Sequence, residues 1–316
     1  MKPVRIGSRG SMLAAWQAKH IAERLAKLGV QTEIIYIKTS GDRFQQAGVN
    51  QIGVKGVFIK EIEDALLEGR VDIAVHSMKD VPTETPAGLA FPAICEREDP
   101  RDCLISRGGE AFDKLPNGAR VGTSSLRRQA QLRHARQDLL FMDLRGNVDT
   151  RLKKLERGEC DAIVLAKAGL DRLGWGGRIT QVLPTEVCVP AVGQGVLGIE
   201  ARAQDVAGSG ELGAALAKLD HSATRAAATA ERALLRELEG GCQVPLGAWA
   251  RAESGEFVMD AVIASVDGAD YIRKRAVGDA INAEALGKNL ARTMLDAGAA
   301  RILQLVGRNV ASSSGS

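Results

Sequence analysis

Leu66-Leu67-Glu68-Gly69-Arg70-Val71-Asp72-Ile73-Ala74-Val75-His76-Ser77-Met78-Lys79-Asp80-Val81-Pro82 decides how the rest of the chain is read. Its start closes a predicted helix, Phe58 to Glu68. Gly69 punctuates, and Asp72 to His76 reads as a strand with a polar run at its end. Pro82 and Pro86 rule out a regular helix directly afterwards. Leu155-Glu156-Arg157-Gly158-Glu159-Cys160-Asp161-Ala162-Ile163 repeats the plan: helix end, glycine, acid, apolar strand. A second echo links Ile6-Gly7-Ser8-Arg9-Gly10-Ser11 to Val121-Gly122-Thr123-Ser124-Ser125. The chain therefore reads as two similar α/β halves.

Outward from that stretch, Val4 to Ser8 is a buried strand, and Ser11 is the N-cap of a helix reaching about Leu28. Leu13, Trp16, Ile21, Leu25 and Leu28 form its predicted apolar face. Glu33 to Lys38 is a β-branched strand, followed by a loop from Gly41 to Gly56. In the second half, strands at Arg120 to Gly122, Leu139 to Asp143 and Asp161 to Leu165 alternate with helices at Ser125 to Arg136 and Val148 to Arg157. Alternation of this kind predicts mainly parallel sheets covered on both faces, in two halves facing each other across a cleft. After Leu219 the composition shifts. Ser222 to Leu238 is an Ala- and Arg-rich helix ended by Gly240-Gly241. Strands at Leu246 to Arg251, Phe257 to Ala264 and Tyr271 to Val277 suggest an antiparallel meander. A helix from Ala283 to Ala297 closes this unit. Ala311 to Ser316 reads as a disordered tail.

The 316 residues suggest two or three domains, and 45% hydrophobic content can fill several cores. Lys plus Arg number 42 against 39 Asp plus Glu, a net charge of +3, which calls for neither nucleic acid nor an anionic membrane. Aromatics are 3%, so stacking platforms for bases are nearly absent. No run approaches the ~20 apolar residues of a membrane span, and the N-terminus lacks a secretory pattern. Five cysteines without CxxC spacing argue against a disulfide framework or a zinc site, and fit a reducing cytoplasm.

Four features carry chemistry. The two strand-to-helix turns place Arg9 and Ser11, and Thr123, Ser124 and Ser125, where free backbone N–H groups suit an anion; ordinary capping explains the same residues. Arg127, Arg128, Arg145, Arg151 and Arg172 lie near strand and helix ends, where guanidinium forks suit carboxylates. Arg127 and Arg128 are adjacent at a helix start and are not expected to point the same way. Lys79 and Asp80 end a strand, where ligands gather in such folds; they suit charge binding and acid–base work, and equally a surface ion pair. Cys242 sits in Glu239-Gly240-Gly241-Cys242-Gln243-Val244-Pro245, a tight loop that makes a thiol easier to alkylate. Cys95, Cys103, Cys160 and Cys188 read as small hydrophobes.

Together these stretches resemble the porphobilinogen deaminase family. The resemblance runs through Ser8-Arg9, Ala15-Trp16-Gln17, Lys55-Gly56-Val57-Phe58, His76 to Pro82, Cys95 to Asp102 and Val121 to Arg128. It continues through Leu144 to Leu152, Pro190 to Gly195 and Glu239 to Pro245, in family order over nearly the whole chain. It implies two periplasmic-binding-protein-like α/β lobes facing a cleft, plus a smaller α+β C-terminal domain. Residues 1–98 and 195–219 would form the first lobe, 99–194 the second, and 220–310 the C-terminal domain, with 311–316 a tail.

The resemblance also implies a dipyrromethane cofactor held by a thioether to Cys242. Four porphobilinogen units would be added to it with loss of ammonia, and hydroxymethylbilane then released by hydrolysis. Asp80 matches the catalytic aspartate, beside a cationic azafulvene. Lys79, Asp80, Thr123, Ser125, Arg127, Arg128 and Arg145 would bind the cofactor. Arg9, Ser11, Gln17, Lys55, Arg145, Arg151, Arg172 and Gln194 would bind substrate. No metal is implied, and the family suggests a cytoplasmic monomer. The chain departs from the family's pattern at Gly10, Met12 and Gln51. Two rival readings remain at this point: a non-catalytic, two-lobed anion-binding protein, and a nucleic-acid binder.

Overall fold

The structure, a computed structural model, describes residues 2–39, 59–207, 210–238 and 244–305. Strand β1 (Val4–Ser8) leads through the Ser11-capped helix α1 (Met12–Ala26) to β2 (Thr32–Tyr36). Helix α2 (Lys60–Leu67) leads to β3 (Ile73–Ser77), a 3-10 turn (Met78–Asp80) and β4 (Leu89–Ile94). The second series is β5 (Asp102–Ser106), β6 (Arg120–Gly122), α3 (Leu126–Ala135), β7 (Leu140–Met142), α4 (Val148–Glu156), β8 (Ala162–Ala166), α5 (Lys167–Arg172) and β9 (Gln181–Val182). The chain continues through β10 (Leu197–Arg202), α6 (Ala203–Val206), α7 (Glu211–Ala217) and α8 (Ser222–Glu237). It ends in β11 (Leu246–Glu253), β12 (Glu256–Ala264), β13 (Tyr271–Gly278) and α9 (Ala283–Asp296).

These elements form two compact units, 1–98 with 196–225 and 99–195 with 226–316. The first unit holds a five-stranded sheet ordered β2-β1-β3-β10-β4. Its strands alternate between two apolar cores. Ile6, Ile73 and Ile199 pack with Ile21 and Leu25 of α1, while Ala74 packs with Ile62, Ala65 and Leu66 of α2. Both faces are therefore covered, as a sheet with parallel strands requires. The buried stripe of α1 is Gln17, Ala18, Ile21 and Leu25. Of the predicted face, Leu13 and Trp16 are only half-buried, and Leu28 lies beyond the end of α1 and is exposed.

The second unit repeats the pattern in a sheet ordered β7-β6-β8-β5-β9. In both sheets two strand pairs are parallel and two antiparallel, which corrects the expectation of mainly parallel sheets. A crossover helix forces its two strands parallel. Strands β10 and β5 reach their places without one, and each runs antiparallel to both neighbours. Strands β4, β5, β9 and β10 have no counterpart in the sequence reading. Pro92 interrupts β4, β5 opens on a charged residue, and β9 has two residues.

The same unit carries the antiparallel meander β11-β12-β13. One face packs on α8 and α9 through Ala230, Leu234, Met259, Ala261, Leu290 and Met294. At Gly287 a Cβ would lie 2.1 Å from the carbonyl oxygen of Ala230, so glycine permits the close approach of α9 to α8. Several contacts tie the meander to the part of the unit that precedes it. Ala248 N donates to Pro190 O at 2.9 Å, Arg133 Nη1 donates to Val266 O at 2.8 Å, and the His134 ring stacks on Tyr271. No described helix is long and apolar enough to cross a membrane.

Candidate active site

In the first unit the chemistry-bearing residues sit at the C-terminal ends of β1 and β3. The Ser11 hydroxyl caps α1 by accepting from Ala14 N at 3.3 Å, and Arg9 lies half-buried just before it. Gln17 is buried, and its Nε2 donates to Ser77 Oγ at 2.9 Å. That bond ties α1 to the last residue of β3, directly ahead of the turn carrying Lys79 and Asp80. Gln17, expected to bind substrate, thus engages the scaffold. Lys79 is half-buried. Asp80 is exposed and makes no hydrogen bond or ion pair among the described residues, leaving its carboxylate available.

In the second unit Ser125 caps α3 by accepting from Arg128 N at 3.4 Å, while Ser125 N donates to Thr123 Oγ1 at 3.2 Å. Ser124 Oγ donates to Leu144 O at 2.7 Å, fixing the turn against the loop after β7. In that loop Gly146 takes a positive φ of 115°, open to glycine, and its carbonyl accepts from Arg151 Nε at 2.7 Å. Arg145 is exposed, with Nε donating to Asp143 at 2.7 Å. Arg172, at the end of α5, is buried, and its Nη2 donates to Gly195 O at 3.1 Å.

Arg127 and Arg128 converge on one carboxylate, Asp102, which is fully buried. Arg127 Nη1 reaches Oδ2 at 2.6 Å, and Arg128 Nη2 reaches Oδ1 at 2.8 Å. The expectation that the two side chains diverge is therefore corrected. Their first residues leave the helix about 100° apart, but the long side chains bend to a common acceptor. Gln194 Nε2 donates to the same Oδ1 at 2.9 Å. Burial alone would raise the Asp102 pKa. The charges of Arg127 and Arg128, with the bonds from Arg127 and Gln194, outweigh it and hold the carboxyl well below the usual range. Cys188 lies 3.3 Å from Asp102 Oδ2, and burial together with that negative charge pushes its thiol up to about 12. Two buried cations thus face one buried anion and a neutral thiol, a net charge of one positive held away from water.

The structure thus gathers Arg127, Arg128 and Gln194 in one cluster, and places Thr123 and Ser125 at the helix start that bears the two arginines. Asp102 is the member that sequence reading missed. Its signal was an aspartate opening an otherwise apolar strand, Asp102-Cys103-Leu104-Ile105. Cys95, Cys103, Cys160 and Cys188 are all buried free thiols. Among the described residues, no group of His, Cys, Asp and Glu could hold a metal. Lys55, Gln51, Cys242, the loop from Gly41 to Gly56, Gly240-Gly241 and the tail 311–316 lie outside the described residues.

Residues 4–208 match the family described as "Porphobilinogen deaminase, dipyromethane cofactor binding domain", and residues 225–296 match "Porphobilinogen deaminase, C-terminal domain". The chain is 49% identical over 305 residues to the porphobilinogen deaminase of Pelotomaculum thermopropionicum, covering 96% of each. It is 50% identical over 307 residues to that of Desulforudis audaxviator, covering 96% of this chain and 98% of the relative. Among solved structures it is similar to the periplasmic VFT2 domain of Bordetella pertussis BvgS, at 15% identity and a TM-score of 0.41, over 68% of this chain and 86% of that one. The matches to both domains, and near-half identity along almost the full length, place the chain in the porphobilinogen deaminase family.

Proposed function

We infer that this chain is a transferase that condenses four porphobilinogen molecules head to tail with loss of ammonia. Hydrolysis then releases hydroxymethylbilane for tetrapyrrole biosynthesis. Family membership supports the activity. The observation that carries it at the site is the pair of buried arginines sharing a single carboxylate. A buried surplus of positive charge is costly unless an anion answers it. Porphobilinogen and the dipyrromethane built from it carry acetate and propionate on every ring, so the donor set fits the group. When bound at Cys242, dipyrromethane supplies a free pyrrole carbon as the primer for condensation.

In this reading Arg127, Arg128 and Arg145, with Thr123, Ser125 and Lys79, hold the cofactor's carboxylates. Arg9, Ser11, Lys55, Arg145, Arg151 and Arg172 hold those of the substrate, with Gln194 beside them and Gln17 acting from the scaffold. Asp80 is the catalytic carboxylate. Its negative charge offsets the positive charge that develops on porphobilinogen as ammonia leaves, it accepts the pyrrole N–H, and it moves protons at that ring. Guanidinium groups stay charged at any working pH, so the grip on carboxylates does not titrate away. The three-part division belongs to the same reading: lobes 1–98 with 195–219 and 99–194, and a cofactor-carrying domain 220–310. So do a cytoplasmic location and a monomeric state.

The test is the intact mass of the purified, denatured chain beside Cys242→Ser. A wild-type excess of two linked pyrrole units, absent from the variant, supports the covalent cofactor and its site. A wild-type chain that carries no excess and gains none on incubation with porphobilinogen overturns the reading in favour of a two-lobed anion-binding protein.

A further inference from the structure

We propose that Asp102 is a positioning residue for the condensation, holding Arg127, Arg128 and Gln194 in the orientation that receives the cofactor's carboxylates. The proposal rests on the function inferred above and adds a residue to it.

Every acceptor site of Asp102 is in use. Oδ1 accepts from Arg128 Nε at 3.0 Å, from Arg128 Nη2 at 2.8 Å and from Gln194 Nε2 at 2.9 Å. Oδ2 accepts from Arg127 Nη1 at 2.6 Å and from the Cys188 thiol at 3.3 Å. The carboxylate itself sits on a rigid support. Asp102 opens β5, is paired in register with Ala166 of β8, and has no exposed surface. It is an aspartate fixed by backbone, not a mobile surface acid.

The pattern of donors shows what the anchor leaves free. Arg127 spends only Nη1, on Asp102, on Val189 O at 2.7 Å and on Cys188 Sγ at 3.3 Å; its Nε and Nη2 make no hydrogen bond among the described residues. Arg128 is gripped at Nε and Nη2 by Asp102 and at Nη1 by Val164 O at 3.0 Å. Two adjacent arginines without a shared acceptor would repel and splay. One carboxylate between them cancels half of their charge, fixes both planes, and leaves one positive charge for an incoming anion. Gln194 adds a second tie, since its Nε2 also donates to Pro100 O at 2.6 Å. Its backbone neighbour Gly193 donates to Glu231 Oε2 at 2.7 Å, and Glu231 Oε1 accepts from Ala250 N at 2.9 Å. Asp102 thus lies on a hydrogen-bonded path reaching α8 and β11, the elements on either side of the Cys242 loop.

The experiment follows covalent loading, which does not depend on turnover. Full-length apo-protein is incubated with porphobilinogen and its gain in mass is timed for wild type, Asp102→Asn, Arg127→Gln/Arg128→Gln, and the triple variant. Circular dichroism gives the folded fraction of each. Asp102→Asn should load about tenfold or more slowly per folded molecule. The triple variant should load within about twofold of the double, because Asp102 acts through the arginines. Wild-type loading by folded Asp102→Asn, or a further tenfold loss in the triple variant, overturns the proposal. If Asp102→Asn does not fold, Asp102→Glu is measured instead. It keeps the charge and moves it by one carbon, so slow loading supports positioning. Wild-type loading, or failure of this variant to fold as well, overturns positioning in favour of a core-charge role. A wild-type chain that never gains mass defeats the inferred activity itself, a separate outcome.

Discussion

Glu200 Oε2 lies 2.9 Å from His76 Nε2 across the antiparallel pair β10 and β3, with side-chain exposures of 1% and 4%. Neither His76 Nε2 nor the Glu200 carboxylate makes a directed hydrogen bond there among the described residues. Burial, reinforced by the Glu200 charge, raises the pKa of nearby Glu63. His76 also meets Phe91 edge-on. The pair therefore sits in a dry, acid-rich corner four residues ahead of Asp80. His76→Phe would leave a buried carboxylate without its partner, at a cost of about 3–5 kcal/mol. His76→Phe/Glu200→Leu should cost less than His76→Phe alone. Urea unfolding of the three proteins checks the order, and a double variant less stable than the single one would refute it.

Asp80→Asn should lower kcat by about 10²–10⁴-fold while leaving stability within about 0.5 kcal/mol. The side chain is exposed and bonds to nothing described, so the fold does not depend on its charge. Steady-state assays with porphobilinogen, beside thermal unfolding, separate the two effects. Wild-type turnover would remove Asp80 from the mechanism.

Stability should fall as pH rises above 9.0. Burial, with the Asp102 charge, lifts both Cys103 and Cys188 from 9.0 to about 12. The unfolded thiols ionise first, so the folded state binds more protons between these values. The stability they contribute is whole below pH 9.0 and is lost progressively toward pH 12. Each thiol accounts for roughly 1.4 kcal/mol per pH unit in that window. Cys188→Ala should flatten the slope by about that amount, measured by denaturant unfolding at several alkaline pH values. An unchanged slope would show that the Cys188 thiol ionises in the native state.

Gly287→Ala should destabilise the C-terminal sheet and its helices by about 1–3 kcal/mol. The added Cβ would lie 2.1 Å from a backbone oxygen of α8, and backbone cannot swing aside as a side chain can. A lowered unfolding midpoint checks it; an unchanged midpoint would mean that the α8–α9 contact is looser than described.

Much of this protein is local and therefore legible along the chain. The helix-glycine-acid-strand plan at Leu66 to Ala74 and its echo at Leu155 to Ile163 predicted two like halves, and the structure has two five-stranded sheets of matching order. Ser11 and Ser125 were readable as caps because an N-cap needs only its own next three residues. The meander was readable from three short strand-like runs separated by glycine-containing turns. Asp80 and the arginines stood out as charges at element ends.

What depends on residues distant in the chain was decided only by tertiary structure. No local pattern says that β10 enters between β3 and β4, far earlier in the chain, because strand neighbours are chosen by which edge is open when the chain returns. Nor does any local pattern say that Arg127, Arg128 and Gln194 meet on Asp102, separated from them by up to 92 residues. A charge is read from the sequence as solvent-facing by default. Only the fold removes the water, and with the water gone a lone aspartate at a strand start becomes the partner that two buried arginines require.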